Sequence, residues 1–215
     1  MLGKWKKTLS KIFLPPAKLI GRILPPNAIT LLGFILGILT AITYTNIQIP
    51  WIGWLFAFTY APLWFMIATI MDALDGAAAR YYNKVTKFGG VLDSTLDRCV
   101  DAILIFAMIH GNWVSIEWGI LAIITSYLIS YVRARAEAAG AEMMGKGLME
   151  RGERLILIFI ATVIAAWGPW WGISPYITNN ILEWTIIAIV LLGTITVIQR
   201  LYAAWKSLSK NKDEK

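Results

Sequence analysis

The sequence is poor in charge and almost lacks the residues that build disulfides, zinc sites and histidine-based catalytic centres. Only 15% of its 215 residues are charged, whereas 58% are hydrophobic, a balance unlike that of an ordinary soluble domain. The single cysteine, Cys99, excludes an internal disulfide framework and a cysteine-rich zinc site. The single histidine, His110, argues against a histidine-based triad or a multi-histidine metal site. Composition therefore predicts an integral membrane protein.

Three long tracts with almost no charge set the predicted architecture. Residues 23–71 carry no charged side chain, residues 102–132 carry only Glu117, and residues 155–199 carry only Glu183. One crossing needs about 20 residues, so each tract is long enough for a helical hairpin. The predicted hairpin turns are Asn46–Pro50, His110–Trp118 and Gly168–Asn180, each rich in polar, proline or glycine residues. The sequence therefore predicts an all-α fold with six transmembrane helices.

The two ends of the chain differ from this core. Residues 1–26 predict a short amphipathic helix that lies on the membrane surface and is broken at Pro15-Pro16 and Pro25-Pro26. The apolar stripe of this helix consists of Leu2, Trp5, Leu9, Ile12 and Phe13. Residues 27–205 form the predicted six-helix domain, and residues 206–215 form a polar cytoplasmic tail that we expect to be frayed.

The positive charges predict the orientation. None of the 20 lysine and arginine residues lies in a predicted hairpin turn. By the positive-inside rule, both termini and both inter-hairpin regions face the cytoplasm, as expected for a multi-pass protein of the cell membrane. This topology accounts for most of the net charge of +7, so we expect no nucleic-acid partner.

Four acidic residues lie where a passive membrane protein has no use for them. Asp72 and Asp75 end the second predicted span at i, i+3 spacing, and Asp93 and Asp97 open the third at i, i+4 spacing. Each pair therefore shares one helix face. Two carboxylates about 4 Å apart repel by roughly 4 kcal/mol at an effective dielectric of about 20, so a cation must lie between them or some must be protonated. An all-oxygen ligand set favours Mg²⁺, Mn²⁺ or Ca²⁺.

The residues between these acids indicate a phosphate site. Gly76 and the alanines after it would let a ligand approach the helix backbone closely, and Gly89-Gly90 clears space at the next helix. Arg80, one turn beyond Gly76, can bind phosphate oxygens. The alternative is a salt-bridged helix end whose small residues serve helix packing.

These residues together carry a family resemblance. Residues 72–97 read Asp72-x-x-Asp75-Gly76-x-x-Ala79-Arg80, eight residues, then Gly89-x-x-x-Asp93-x-x-x-Asp97. This pattern resembles the CDP-alcohol phosphotransferase motif at every fixed position, and the resemblance extends over residues 27–205. It implies a membrane enzyme that displaces CMP from a CDP-linked alcohol with the hydroxyl of a second alcohol. It also implies a cytoplasmic site with two divalent ions, Mg²⁺ or Mn²⁺.

The resemblance assigns roles to individual residues. Asp97 would act as the general base for the attacking hydroxyl, in addition to binding metal. Asn27 and Thr30 resemble residues of the nucleotide pocket, although an N-cap of the first span is equally compatible with both. The implied metal ligands are Asp72, Asp75, Asp93 and Asp97. The implied CDP-lipid-binding residues are Asn27, Thr30, Asp72, Gly76, Ala79 and Arg80.

A second group of basic residues predicts the acceptor. An arginine cluster beside a metal site suggests an anionic acceptor. The alternative is that these arginines only set the membrane topology and form ion pairs with Glu137, Glu150 and Glu153. The stretch resembles the branch of the family that uses inositol phosphate, which implies 1L-myo-inositol 1-phosphate as acceptor; glycerol 3-phosphate is the closest rival. Arg133 departs from the lysine common in bacterial members. The implied acceptor-phosphate residues are Ser130, Arg133, Arg151, Arg154 and Arg200.

The remaining expectations concern partners and rival functions. The donor would be CDP-archaeol or CDP-diacylglycerol, and the resemblance implies a homodimer. A cation or proton transporter would instead place acids deep in the spans, with a path open to both sides. A non-catalytic scaffold would tolerate Asp97→Asn.

Overall fold

The computed structural model describes residues 2–45, 53–143 and 145–213, and the side chains of residues 2–12, 54 and 210–213 lie outside this description. Within these ranges the chain is helical and contains no strand. The seven α-helices are α1 (Leu2–Ile23), α2 (Pro26–Ile42), α3 (Ala61–Tyr81), α4 (Lys87–His110), α5 (Ile116–Ala138), α6 (Arg151–Trp167) and α7 (Pro175–Asp213). Short 3₁₀ helices occupy Gly53–Phe56, Phe58–Tyr60 and Gly168–Trp171. The all-α prediction is confirmed.

The chain forms two compact units, Met1–Leu104 and Ile105–Lys215. In the first unit, α3 packs against α1 and α2. Small residues allow this close packing: Ala17 of α1 and Ala78 of α3 are fully buried in one apolar cluster with Ile29 of α2. A Cβ at Gly37 of α2 would lie only 2.8 Å from the Val100 side chain of α4. These contacts fix the helix ends that carry the acidic motif.

In the second unit, α7 packs against both α5 and α6. The α5–α7 contact is close, because a Cβ at Gly193 would lie 2.6 Å from Thr125 Cγ2. At the N-terminus of α5, the Glu183 carboxylate of α7 accepts hydrogen bonds from the Ser115 backbone N–H at 2.6 Å and from its hydroxyl at 2.7 Å. A carboxylate at this position satisfies an N–H that has no partner within the helix and complements the helix dipole.

In the part of the chain that the structure describes, four helical segments are long and apolar enough to cross a membrane: Phe58–Tyr81, Ile116–Ala138, Arg151–Trp171 and Pro175–Ser209. A fifth span is possible if Phe13–Ile23 and Pro26–Ile42, which are bent by 108° at the break between them, count as one. These segments make the chain a multi-pass membrane protein. The α4 helix is not among the four, since it carries four charged residues, Asp93, Asp97, Arg98 and Asp101, in its middle part.

One prediction about the N-terminal region is wrong, and the predicted fraying of the tail stays a prediction. α1 continues through Pro15 and Pro16 instead of breaking there. An internal proline costs roughly 3 kcal/mol, and we attribute its tolerance to the packing of the α1 segment around the fully buried Ala17. Residues 206–213 of the tail are helical, because α7 runs to Asp213 and these residues include neither glycine nor proline to end it.

The predicted turns have mixed outcomes. The turn at His110–Trp118 is confirmed, since α4 ends at His110 and α5 begins at Ile116. The third turn is shorter than predicted, because α7 already begins at Pro175. The Asn46–Pro50 turn and most of the apolar stripe of α1 lie outside the described residues.

Candidate active site

Three of the four motif acids converge in the first unit. The carboxylate oxygens of Asp72, just past the middle of α3, and of Asp93 and Asp97, in α4, lie within 4.8 Å of one another. All three side chains are half-buried. The i, i+4 spacing of Asp93 and Asp97 places both on the α4 face that meets Asp72. Oxygen ligands at this separation, without nitrogen or sulfur, suit a hard divalent cation.

Asp75, the fourth acid of the motif, lies one turn beyond Asp72. Its surroundings differ from those of the other three acids. Its side chain is buried, and the charges of Asp72 and Asp93 are close enough to interact with it. Its Oδ1 accepts the Gly76 backbone N–H, and the Thr30 side chain also contacts the carboxylate. Its Oδ2 is buried and has no hydrogen-bond partner among the described residues. A buried carboxylate oxygen left unpaired is costly, so the four acids fit a bound metal ion.

A cleft of about 260 Å³ adjoins the acids and shares Asp75 and Asp93 with them. It lies where the start of α2, the end of α3 and the start of α4 meet. The other lining residues are Pro26, Asn27, Thr30, Gly76, Ala79, Arg80, Lys84, Val85, Thr86, Gly89 and Gly90. Five of the six residues predicted to bind the CDP-lipid therefore line one cleft, and the sixth, Asp72, belongs to the acid cluster.

The glycines of the motif allow close approach at two points of this cleft. A Cβ at Gly76 would lie 3.3 Å from Nη1 of Arg80, so the guanidinium lies directly over the glycine. A Cβ at Gly89 would lie 2.9 Å from Thr86 Oγ1 and 3.2 Å from Asn27 Oδ1. At both glycines, polar side-chain groups therefore lie close to a helix backbone; the approach of a ligand at Gly76 stays a prediction.

The N-cap alternative for Asn27 and Thr30 is wrong. Pro25 is the N-cap of α2, with extended backbone, and makes no side-chain cap bond. Thr30 donates its hydroxyl to Pro26 O at 3.1 Å, within the first turns of the helix. Asn27 is exposed at the cleft. Neither residue is needed to begin the helix.

One wall of the cleft was missed by the sequence analysis. Asn83 has a φ of 52°, and the following Lys84 N–H donates to Ala79 O at 2.9 Å, which closes α3 with a left-handed cap. Thr86 then caps α4, because its Oγ1 accepts the Gly89 N–H at 2.9 Å. This tight connection brings Lys84, Val85 and Thr86 to the cleft. An asparagine after the last helical turn and a threonine before Lys87 were the readable signals.

A second missed contact involves Asp97. Arg98 Nη1 lies 3.5 Å from Asp97 Oδ2 and donates to Ser94 O at 2.8 Å. Consecutive helix residues do not normally face each other, so spacing gave no indication of this pair. Arg98 brings a positive charge to the predicted general base.

The predicted acceptor residues lie in the second unit. The charges of Arg133 and Arg154 are close enough to Arg200 to interact with it, and Arg154 is only 5% exposed. Three arginines therefore lie together at the end of α5, the start of α6 and the last third of α7. Ser130 donates its hydroxyl to Ser126 O at 3.2 Å, and Arg151 opens α6.

Arg133 and Arg200 form ion pairs or hydrogen bonds within the protein. Arg133 Nε lies 3.0 Å from Glu137 Oε1, as the pairing alternative predicted. Arg200 is 3% exposed. Its Nε donates to Lys146 O at 2.9 Å and its Nη1 to Ile129 O at 2.6 Å. Arg200 therefore holds the protein together at this cluster, in addition to contributing charge.

Comparisons with a family sequence model, with relatives and with solved structures agree with one another. A sequence model described as CDP-alcohol phosphatidyltransferase matches residues 23–197. The chain is 37% identical to an archaetidylinositol phosphate synthase of Pyrococcus horikoshii, over 90% of this chain and 93% of the relative. It also resembles the crystal structure of Mycobacterium tuberculosis phosphatidylinositol phosphate synthase with CDP-DAG bound. The TM-score is 0.74 and the identity 27%, over 92% of this chain and 95% of the other. The same enzyme with manganese and citrate gives a TM-score of 0.74 at 27% identity, over 91% and 90% of the two chains.

Proposed function

This chain belongs to the CDP-alcohol phosphatidyltransferase family, and we propose that it transfers a phospholipid moiety from a CDP-linked lipid to 1L-myo-inositol 1-phosphate, with release of CMP. The observation that carries this proposal is the convergence of Asp72, Asp93 and Asp97 beside a cleft that the other motif residues line. Family membership sets aside the transporter and scaffold interpretations, since the motif acids have a role in transfer chemistry.

The cleft is the proposed site of the CDP head group. Arg80 and Lys84 supply positive charge, and Asn27 and Thr30 supply polar groups for the nucleotide. Its volume of about 260 Å³ is close to the lower end of known ligand sites, about 300 Å³. We assign the lipid tails to the membrane outside the cleft, where either an archaeol or a diacylglycerol chain is accommodated.

The acids are the proposed metal ligands. Asp72, Asp75, Asp93 and Asp97 would hold two divalent ions, Mg²⁺ or Mn²⁺, which when bound would offset negative charge on the diphosphate and on the departing CMP. Support comes from the all-oxygen ligand set and from the unpaired, buried Oδ2 of Asp75.

Asp97 is the proposed general base. In the reaction, the acceptor oxygen forms a bond to the lipid-linked phosphorus, the phosphorus–oxygen bond to CMP breaks, and Asp97 takes the hydroxyl proton. Arg98, 3.5 Å from Asp97, orients the carboxylate. Because the Asp97 side chain is half-buried, it remains open to an incoming hydroxyl.

The acceptor phosphate is assigned to the arginine cluster of the second unit. Arg200 is repelled by the charges of Arg133 and Arg154, and the attraction of Glu150 and Glu137 opposes this repulsion. A phosphate dianion would relieve this repulsion, and guanidinium groups bind phosphate through paired N–H donors. Ser130 and Arg151 are the remaining proposed ligands.

The membrane arrangement is proposed from the charge pattern. α2 to α7 would provide six spans, with the first part of α1 on the membrane surface. Both termini and the active site would face the cytoplasm, because every lysine and arginine lies outside the three predicted hairpin turns. We further propose a homodimer in the cell membrane.

Release of CMP by the purified protein tests the proposal. We expect turnover with a CDP-lipid, a divalent ion and inositol 1-phosphate, and little with glycerol 3-phosphate. Asp97→Asn should abolish CMP release while the protein still folds and binds CDP-lipid. Activity with glycerol 3-phosphate and none with inositol phosphate would contradict the proposed acceptor.

A matched pair of arginine variants tests the acceptor site. Arg154→Ala should raise the KM for inositol 1-phosphate more than the KM for CDP-lipid, because a buried cation near Arg200 is lost. The control is Arg135→Ala, which removes an exposed arginine from the last turn of α5. Equal loss of affinity for both substrates would argue against a separate acceptor pocket.

A further inference from the structure

The segment that precedes α6 is held on α7 by side chains instead of regular secondary structure. This segment, Gly145–Glu150, is called the strap below. Its backbone has positive φ angles of 70° at Gly145 and 111° at Gly147. Three hydrogen bonds fix it: Lys146 O accepts from Arg200 Nε at 2.9 Å, Leu148 N–H donates to Gln199 Oε1 at 3.2 Å, and Met149 N–H donates to Thr196 Oγ1 at 2.9 Å.

Thr196 makes the most deeply buried of these bonds. It is 0% exposed, and Met149 is 4% exposed. Its hydroxyl donates to Leu192 O at 2.9 Å while it accepts from Met149. Because both residues are shielded from solvent, no water can replace the hydroxyl if it is removed, and the Met149 N–H would be left without a partner.

Gly147 lets the strap approach Thr196. A Cβ at Gly147 would lie only 2.5 Å from Thr196 Cγ2, and the φ of 111° is one that L side chains rarely adopt. The strap and this part of α7 therefore fit together only because one position has no side chain and the other has a hydroxyl.

The position of the strap decides where α6 begins. Its last residue, Glu150, is the N-cap of α6, and Arg151 and Arg154 occupy the first turn of the helix. Arg200 adds a second constraint, since it binds both the strap and Ile129 O of α5, one turn before Arg133. The first turn of α6 is thus placed relative to α5 through side chains of α7.

We propose that Thr196 is a positioning residue for the acceptor-phosphate site: by binding the Met149 N–H it sets the first turn of α6 and hence the guanidinium groups of Arg151 and Arg154. This proposal rests on the proposed function of the arginine cluster. Thr196 itself touches no substrate.

Thr196→Val keeps the shape of the side chain and removes the hydroxyl. We expect the KM for inositol 1-phosphate to rise about tenfold, because the strap is bound for a smaller fraction of the time. The kcat and the KM for CDP-lipid should stay within about twofold of the wild type. Thr196→Ser, which keeps the hydroxyl, should restore the acceptor KM.

The control is Thr194→Val on the same helix. Thr194 is exposed, and its hydroxyl donates within the helix, to Val190 O at 2.8 Å. This variant therefore removes a threonine hydroxyl from α7 without touching the strap, and all kinetic constants should stay near those of the wild type.

A compensation experiment tests the contact itself. Gly147→Ala should raise the acceptor KM, because the new methyl group meets Thr196 Cγ2. Thr196→Ser removes that Cγ2, so the double variant should recover part of the acceptor affinity. The recovery is only partial because the backbone strain at φ 111° remains. A double variant with a higher acceptor KM than Gly147→Ala alone would contradict the contact between strap and α7.

Hydrogen–deuterium exchange of the strap provides a readout that does not depend on activity. Thr196→Val should speed exchange over residues 148–154, whereas Thr194→Val should not. Faster exchange with an unchanged acceptor KM, or unchanged exchange, would overturn the positioning role. A wild-type enzyme that used only another phosphorylated alcohol would instead overturn the proposed acceptor, and the same KM comparison would then be made with that alcohol.

Discussion

Replacing Asp93 with asparagine should stabilise the metal-free protein while removing its response to metal. The carboxylate oxygens of Asp72, Asp93 and Asp97 lie within 4.8 Å of one another. At that distance two unit charges repel by roughly 3.5 kcal/mol at an effective dielectric of about 20 and by roughly 0.9 kcal/mol in bulk water. Asp93→Asn removes two of the three repulsive carboxylate pairs, which lowers the electrostatic energy of the folded protein by between about 2 and about 7 kcal/mol. Because the three side chains are half-buried, we take the lower end.

The expected stabilisation corresponds to a measurable shift in Tm. About 2 kcal/mol corresponds to a Tm increase of about 4–8 °C for a protein of this size. A divalent ion at about 100 times its Kd stabilises the wild type by about 2.7 kcal/mol. Thermal unfolding in detergent would therefore be followed with EDTA, Mg²⁺ or Mn²⁺. We expect the Tm of the wild type to be lower in EDTA than with either metal. We expect the Tm of Asp93→Asn to be above that of the wild type in EDTA and to be the same in all three conditions.

The control is Glu117→Gln, which neutralises an exposed carboxylate in the first turn of α5 and should leave the metal response intact. Two results would refute the electrostatic reasoning. One is a wild-type Tm that neither metal changes. The other is an Asp93→Asn variant that melts below the wild type in EDTA, since relief of repulsion cannot destabilise the protein.

Two further predictions concern glycines. Gly89→Ala should raise the KM for CDP-lipid, because the methyl group would lie 3.2 Å from Asn27 Oδ1 and displace it. A KM for CDP-lipid equal to that of the wild type would contradict this role. Gly37→Ala should lower the Tm, since its methyl group would lie 2.8 Å from the Val100 side chain and overpacking costs about 1–3 kcal/mol; an unchanged Tm would show that α2 and α4 can separate at no cost.

The acidic motif shows how far local spacing reaches. Helical periodicity puts Asp93 and Asp97 on one face of α4, and charge repulsion predicts either a cation between them and the acids of α3 or protonation of some of these acids. Periodicity did not distinguish Asp75 from Asp72. The difference arises from the burial of Asp75 and its contact with Thr30 of α2, because only packing decides which carboxylate oxygen is shielded from water.

The errors have a common cause. Pro15 and Pro16 have low intrinsic helix propensity, but the α1 helix continues through them and buries Ala17 against α2 and α3. Local propensity is a weak prior that tertiary packing overrides. The contribution of Lys84 and Thr86 to the cleft was missed for a related reason: the left-handed Asn83 redirects the chain, and a single φ angle leaves no periodic signal.

The sequence by itself determined the class of protein, most of its helices and the placement of its acids on shared helix faces, since charge-free tracts and i, i+3 or i, i+4 spacings act over distances that one helix spans. The tertiary structure decided what Arg200 does. From the sequence it is one more cation for a phosphate; in the fold its Nε and Nη1 bind the carbonyl oxygens of Lys146 and Ile129, 54 and 71 positions away. Such partners are chosen by packing between helices distant in the chain, and no local pattern encodes them.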